Sequence, residues 1–477
     1  MNRFHRSPGA RCRAWLASFT LVGAAALAGC AGAPRALDTP PTAPSATWQG
    51  APGVPAAATP ARWWQGLADP TLDALMTRAL AEAPDLQTAR TRLQEARARR
   101  RATEAAAGPS VTGSASVSRS RSSAASGSGA TRSLFDLGLD ASWEADLFGR
   151  VRAGLDAAQA DEAASLATLG EAQRSLQAEV ALAWLDWQGA RARLAIARDG
   201  LSRQTETRQI AGWRAQAGLA ATLDVEQATA SAEQTRASAD ALAGALAQAQ
   251  LALELLLGQT AGGLDALLAP ARAQAPVLPA WPWPQGLALP ADVLRERPDV
   301  RAAAATWQAE RAREAQAQAA LRPQLTLSGS IGLQALTLGT LKDGGNASLA
   351  AALLAPLFDG GRLRAQLDAQ TAVRERAALA YRSTVLTALT EVEQALASAA
   401  AQREQAQALA AAAQAARNAA LLARQRYDSG LVDFRTVLDA ERSALTLDDS
   451  VAAQQLESLK TVVRLYKALG GPQHPAG

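Results

Sequence analysis

Thiols and imidazoles are the side chains best suited to nucleophilic, acid–base and metal chemistry, and this chain carries four of them in 477 residues: Cys12, Cys30, His5 and His474. Their placement limits what they can do. Residues 1–29 read as a secretory leader, with a basic front of Arg3, Arg6, Arg11 and Arg13 followed by a short apolar run ending in small residues. The run falls short of the roughly 20 apolar residues that a spanning helix needs. Removal of the leader takes His5 and Cys12 with it, leaving Cys30 at the new amino terminus and His474 near the C-terminal end. A disulfide, a thiolate or imidazole metal centre and histidine catalysis are therefore not expected, nor is any cofactor. Carboxylate chemistry survives the count, but no paired acidic motif stands out.

Charge is equally restrictive. The 48 Lys+Arg and 44 Asp+Glu give +4 for the whole chain, and the leader holds four of the arginines and no acid. The mature balance is neutral, so the basic character gives no argument for a nucleic-acid partner.

Cys30 follows Leu27-Ala28-Gly29 at the end of the apolar run. This resembles the cleavage box of bacterial lipoproteins and implies acylation of Cys30. Ala31, rather than aspartate, implies sorting to the outer membrane. Residues 30–62 then read as a lipidated tether, low in secondary-structure signal.

The rest of the chain reads as a duplicated unit, 63–258 and 298–470, joined by a connector at 259–297 that contains Trp281-Pro282-Trp283-Pro284 and followed by a tail at 471–477. Gly218-Leu219 recurs as Gly430-Leu431 and Leu257-Gly258 as Leu469-Gly470, both displaced by 212. Pro84-Asp85 recurs as Pro298-Asp299 and Leu147-Phe148 as Leu357-Phe358. Each unit opens with a predicted helix, 71–107 or 290–321. Arg97-Ala98-Arg99-Arg100-Arg101 in the first of these reads as a solvated helix face.

Two extended segments follow in each unit. Strands are predicted at about 110–122, 133–146, 324–336 and 346–358, because apolar residues alternate with small or polar ones. Phe135, Leu137, Leu139, Ala141 and Trp143 set one face against Asp136, Gly138, Asp140 and Ser142. Such alternation over about ten residues is the length of a membrane-crossing barrel strand. Long helical runs come next. Leu176, Val180, Ala183, Trp187, Ala190, Leu194, Ala197 and Leu201 step by four and three, as do Val385, Leu389, Val392, Leu396 and Ala399, which predicts heptad seams. Residues 151–217 as one helix extend roughly 100 Å. Four strands cannot close a barrel in lipid, so the chain is expected to oligomerise, with two copies giving eight strands and three giving twelve.

Taken together, the Cys30 box, the Trp63-Trp64…Asp69-Pro70…Leu72…Leu75 opening, the duplication, Leu147-Phe148-Gly149-Arg150 with its partner, and the two glycine tips resemble the TolC-like outer-membrane factors of tripartite efflux systems, in their lipoprotein (NodT/OprM-like) branch. The resemblance covers nearly the whole mature chain. It implies an α+β membrane protein: a homotrimer whose twelve-stranded β-barrel, four strands per chain, continues as a long periplasmic coiled α-barrel. It implies passive export of small molecules delivered by an inner-membrane pump, of RND type, through a periplasmic adaptor. A type I secretion duct and a non-channel, lipid-anchored coiled-coil scaffold are the alternatives.

The resemblance also assigns residues. Gly218, Leu219, Gly430, Leu431 and Val432 become adaptor-facing tips, where plain helix reversal needs the glycines in any case. Asp439 matches a position where relatives place an aspartate in the periplasmic constriction, the alternative being a solvated helix carboxylate. Arg435 stands where an apolar constriction residue is usual, a departure that puts the detail of the gate in question.

Overall fold

The computed structural model describes residues 47–51, 54–123, 125, 129–279, 281, 283–284 and 286–470. Residues 1–29, which the sequence reads as a leader, together with Cys30, Pro282, His474 and the tail, lie outside these residues.

A 3₁₀ turn at Trp63–Leu67 precedes helices α1 (Pro70–Glu82) and α2 (Pro84–Ala106). Strands β1 (Ser110–Arg121) and β2 (Thr131–Ala145) follow, then α3 (Arg150–Gln216) and α4 (Thr222–Leu256). Short helices α5 (Asp265–Ala273) and α6 (Pro290–Glu296) frame the connector. The second half repeats the order with α7 (Pro298–Ala319), β3 (Gln324–Ala335), β4 (Gly345–Leu354), α8 (Arg362–Asp428) and α9 (Phe434–Leu469). Glycines with positive φ fall at matching points of the two halves: Gly149 and Gly361 before the long helices, Gly218 and Gly430 after them, Gly258 and Gly470 at the ends.

Three expectations are corrected. The helix predicted over 71–107 breaks at Ala83, and the one over 290–321 breaks at Arg297. Each of these residues precedes a proline and is extended (ψ 126° and 124°), because the proline ring disfavours helical geometry in the residue before it. The fourth strand ends at Leu354 rather than near 358, since Pro356 has no N–H to continue a ladder, and Leu357 and Phe358 are almost fully exposed. The tether is also not uniformly free of structure. Trp48 is buried against Leu287, Val392, Leu396 and Leu465, and its indole donates to the Ala288 carbonyl at 2.7 Å. The backbone amides of Gln49 and Gly50 donate to the two oxygens of Glu393, both at 2.8 Å.

The four strands form one antiparallel sheet in the order β1-β2-β3-β4. Its register keeps the alternation in phase across all strands. Val111 faces Ala141, which faces Gly329, which faces Leu349, so one face of the sheet is apolar. One residue further, Thr112, Asp140, Ser330 and Ser348 line the opposite face. Ser330 and Ser348 share a hydroxyl hydrogen bond of 2.8 Å there, and Ser110 and Ser142 one of 2.9 Å. Among the described residues the outer edges of β1 and β4 have no partner strand.

The core lies below the sheet, where α1, α3, α4, α5 and α9 meet. Trp63, Trp64, Leu72, Leu75, Met76, Trp184, Leu185, Trp187 and Leu253 are buried there. Trp281 stacks on Trp63 and Tyr466 with centroids 6.0 and 5.5 Å apart, so the connector closes over this core. None of the heptad residues on α3 or α8 is exposed. Arg97, Arg99 and Arg101 are exposed, as expected of a solvated helix face, and Arg100 is half-buried. Arg97 and Arg100 reach Glu162 on α3 at 3.3 and 2.6 Å.

Helix α9 runs back along α3 in a regular antiparallel seam. A Cβ on Gly189 would lie 2.5 Å from a methyl of Leu456, and one on Gly200 would lie 2.6 Å from a methyl of Leu445. Both glycines and both leucines are eleven residues apart, three turns of a straight helix, so each leucine fills a notch left by a missing side chain. Lys460–Asp186 at 2.5 Å and Arg193–Asp449 at 2.7 Å flank the notches. At the end of α9, Arg297 is 1% exposed. It donates to the Ala468 carbonyl at 2.8 Å, to both oxygens of Asp299 at 3.0 and 2.6 Å, and to Glu391 at 2.8 Å. Arg174 donates to the neighbouring Lys467 carbonyl. Two cations thus satisfy the terminal carbonyls of α9 and offset the negative end of its dipole.

Candidate functional site: the hairpin tips

The two long hairpins reverse by the same local chemistry. After α3, Gly218 adopts φ 71°, its N–H donates to the Ala215 carbonyl at 3.0 Å, and the Leu219 N–H donates to the Arg214 carbonyl at 2.8 Å. After α8, Gly430 adopts φ 69°, with Gly430 N–H to Tyr427 carbonyl at 3.0 Å and Leu431 N–H to Arg426 carbonyl at 2.8 Å. This is a Schellman closure, which requires a left-handed residue at the glycine position. The second tip also has a side-chain cap. Asp433 accepts from the Thr436 N–H at 2.9 Å and its hydroxyl at 2.5 Å, whereas Ala221, the matching residue of the first tip, offers none. The bond from the Thr436 hydroxyl, then that from its amide, hold the Asp433 carboxyl below the usual carboxylate range.

The tips are joined to one another. Phe434 and Leu438 are buried against Ala211 and Ala228, and Tyr427 sits 5.4 Å from the Phe434 ring. The Arg214 guanidinium lies 4.5 Å over the Tyr427 ring and 3.6 Å from Asp428. Sequence reasoning missed this clamp, although the aromatic pair flanking Gly430 is visible in the sequence. Beyond the clamp, Leu219 and Leu431 are 78% and 74% exposed, and Leu223 also projects. Val432 is half-buried. Apolar side chains presented on rigid turns suit contact with another apolar surface.

Arg435 and Asp439 share the face of α9 opposite the buried Phe434, Val437 and Leu438. Their side chains are 76% and 70% exposed and approach to 3.7 Å, one turn apart. Both charges therefore point away from the hairpin bundle. At this exposure the pair is worth well under about 1 kcal/mol. Among the described residues no group of three or more His, Cys, Asp or Glu is placed to hold a metal ion. Nor is any helix among them long and apolar enough to cross a membrane.

The chain thus combines a four-stranded two-faced sheet with paired 67-residue helices that reverse at glycine tips. The model of the outer membrane efflux protein family matches residues 75–259 and 289–471. The chain belongs to the outer membrane efflux protein family. It is similar to the pyoverdine export outer membrane protein OpmQ of Pseudomonas putida, 33% identical over 91% of this chain and 93% of that one. It is also similar to the toluene efflux pump outer membrane protein TtgF of Pseudomonas putida, 31% identical over 86% of this chain and 85% of the relative. The outer-membrane channel OprN superposes with a TM-score of 0.84 at 32% identity, covering 93% of this chain and 99% of that chain. The outer membrane is thus where this chain works, as an efflux channel protein of TolC-like fold.

Proposed function

We propose that three copies of this chain close a twelve-stranded barrel and form a passive duct for small molecules, fed by an inner-membrane pump of RND type through a periplasmic adaptor. The observation that carries this reading is the in-phase register of the sheet. An apolar face from Val111 to Leu349 backed by a polar face from Thr112 to Ser348 is the wall of a water-filled barrel in lipid. Its unpaired β1 and β4 edges each leave backbone groups that cost several kcal/mol in hydrocarbon, and pairing with identical neighbours removes that cost.

The individual assignments extend this reading. Cys30 carries the acyl anchor. Gly218, Leu219, Gly430, Leu431 and Val432 form the adaptor-facing surface, supported by the exposed leucines on rigid turns. Arg435 and Asp439 ring the periplasmic constriction, supported by their projection away from the hairpin core. The chain conducts rather than catalyses. Small organic cargo is supported by relatives named for pyoverdine export and toluene efflux.

Single-channel recording in planar bilayers tests the duct and its gate together. The wild-type protein gives discrete conductance steps, and Asp439→Ala raises their size. Absence of steps removes the duct, and unchanged steps in the variant remove Asp439 from the constriction.

A further inference from the structure

We propose that Gln204 on α3 and Glu441 on α9 form a proton-operated latch, in which the protonated Glu441 carboxyl donates to the Gln204 side-chain carbonyl and holds the lower part of the α3–α9 seam closed.

The seam's register brings the two together. Leu445 seats on Gly200. Gln204 lies one turn beyond Gly200 and Glu441 one turn before Leu445, so in an antiparallel pair they face each other. Both line the same cavity of about 280 Å³ with Gly200, Arg203, Leu421 and Leu445. Gln204 is 4% exposed, and its Oε1 finds no hydrogen-bond donor among the described residues. A buried acceptor without a donor costs about 1–3 kcal/mol. The polar group across the seam from it is a carboxyl, which supplies a donor in its protonated form alone.

The remaining neighbours favour the ionised carboxylate, but less than burial opposes it. From α3, Thr207 reaches both Glu441 oxygens at a long 3.4 Å, and Arg203 and Glu206 add opposing charges. From α8, Arg424 and Arg417 face the cavity. Each arginine has another acid in hand: Arg203 pairs with Asp199 at 3.0 Å, Arg424 with Glu206 at 3.2 Å, and Arg417 with Asp448 of α9 at 3.0 Å. Glu441 is left without a dedicated counter-ion. Burial pushes its carboxyl up, against the pull of Arg424 and Arg203. The sign follows: the latch's contribution is complete below the ordinary glutamate value and is lost as pH rises through the raised one. Ionisation withdraws the only donor this carboxyl can offer the Gln204 carbonyl and draws water into the cavity. The seam then loosens between the notch at Gly200 and the aromatic clamp at Phe434.

Spin labels on the full chain test this without a conducting pore, so failure here leaves the duct reading standing. Ser202→Cys on α3 and Ser443→Cys on α9 are both exposed and occupy opposing positions in the same register. The labelled chain, diluted with unlabelled chain, is measured by double electron–electron resonance from about pH 5 to about pH 8. The wild-type distance distribution is narrow in acid and shifts outward and broadens as pH rises. Glu441→Gln, a permanently neutral donor, stays narrow throughout, and Gln204→Leu stays broad throughout. A wild-type distribution that ignores pH overturns the latch, as does a Glu441→Gln protein that still responds. Should either variant not fold, the wild-type titration decides alone.

Discussion

The indole nitrogen of Trp184 donates to Asp69 Oδ2 at 2.9 Å, across 115 residues of chain. The other oxygen of the same carboxylate caps α1, accepting from the amides of Thr71 and Leu72 at 2.9 and 3.2 Å. One side chain therefore starts the first helix and ties it to the middle of α3. Asp69→Ala removes a cap worth about 1 kcal/mol and strands a buried indole N–H at a further 1–3 kcal/mol or so. The expected result is a lower unfolding midpoint at fixed scan rate, with Asp69→Asn intermediate because it keeps an acceptor. A midpoint unchanged in Asp69→Ala contradicts the link.

The notches along α3 predict a coupled effect. Gly189→Ala places a methyl against Leu456 and costs about 1–3 kcal/mol through overpacking. Adding Leu456→Ala opens the space again, so the double variant is more stable than the sum of the two single losses predicts. A double-mutant cycle in guanidinium measures this. Strict additivity means that the two residues do not share the contact.

At the tips, Gly430→Ala and Gly218→Ala each force a Cβ into left-handed geometry at a cost of roughly 1–2 kcal/mol. No neighbour lies within 4 Å of either Cβ position, so the penalty is confined to the backbone. Limited proteolysis should cut both variants faster at the tips while the unfolding midpoint of the body stays put.

The cluster at the end of α9 sets an acid limit. Burial by itself raises the Asp299 carboxyl, but the two hydrogen bonds from Arg297 and its charge, with a smaller pull from Arg174, hold it below the usual carboxylate range. A depressed carboxyl contributes stability above its unfolded value and loses it as pH falls through the folded one. Acid titration of the unfolding midpoint should show this loss below the ordinary aspartate range. In Asp299→Asn the slope over that range flattens, and a slope equal to wild type excludes Asp299 as its source.

Much of the fold was legible because it is written in local periods. Odd-numbered apolar residues from Phe135 to Trp143 and the four-three spacing from Leu176 to Leu201 each report on their own element. The tip glycines were legible because a reversal demands them. What escaped depends on distant partners. Trp48 lies in a stretch otherwise without pattern, and its burial is decided by Val392 and Leu396. Gly189 and Gly200 break no helix, so their purpose appears only opposite Leu456 and Leu445, although the shared eleven-residue spacing was there to be matched. The breaks at Ala83 and Arg297 were hidden because proline at the first helical position is compatible with a helix running onward from it. Gln204 and Glu441 look like ordinary surface residues until the register places them together.

The account rests on the closure of an open-edged sheet by identical neighbours. Native mass spectrometry of the protein extracted gently from outer membranes tests this most directly. The predicted result is a single species of three chains, each carrying its acyl groups at Cys30. A species of one chain, with its β1 and β4 edges unpaired, contradicts it.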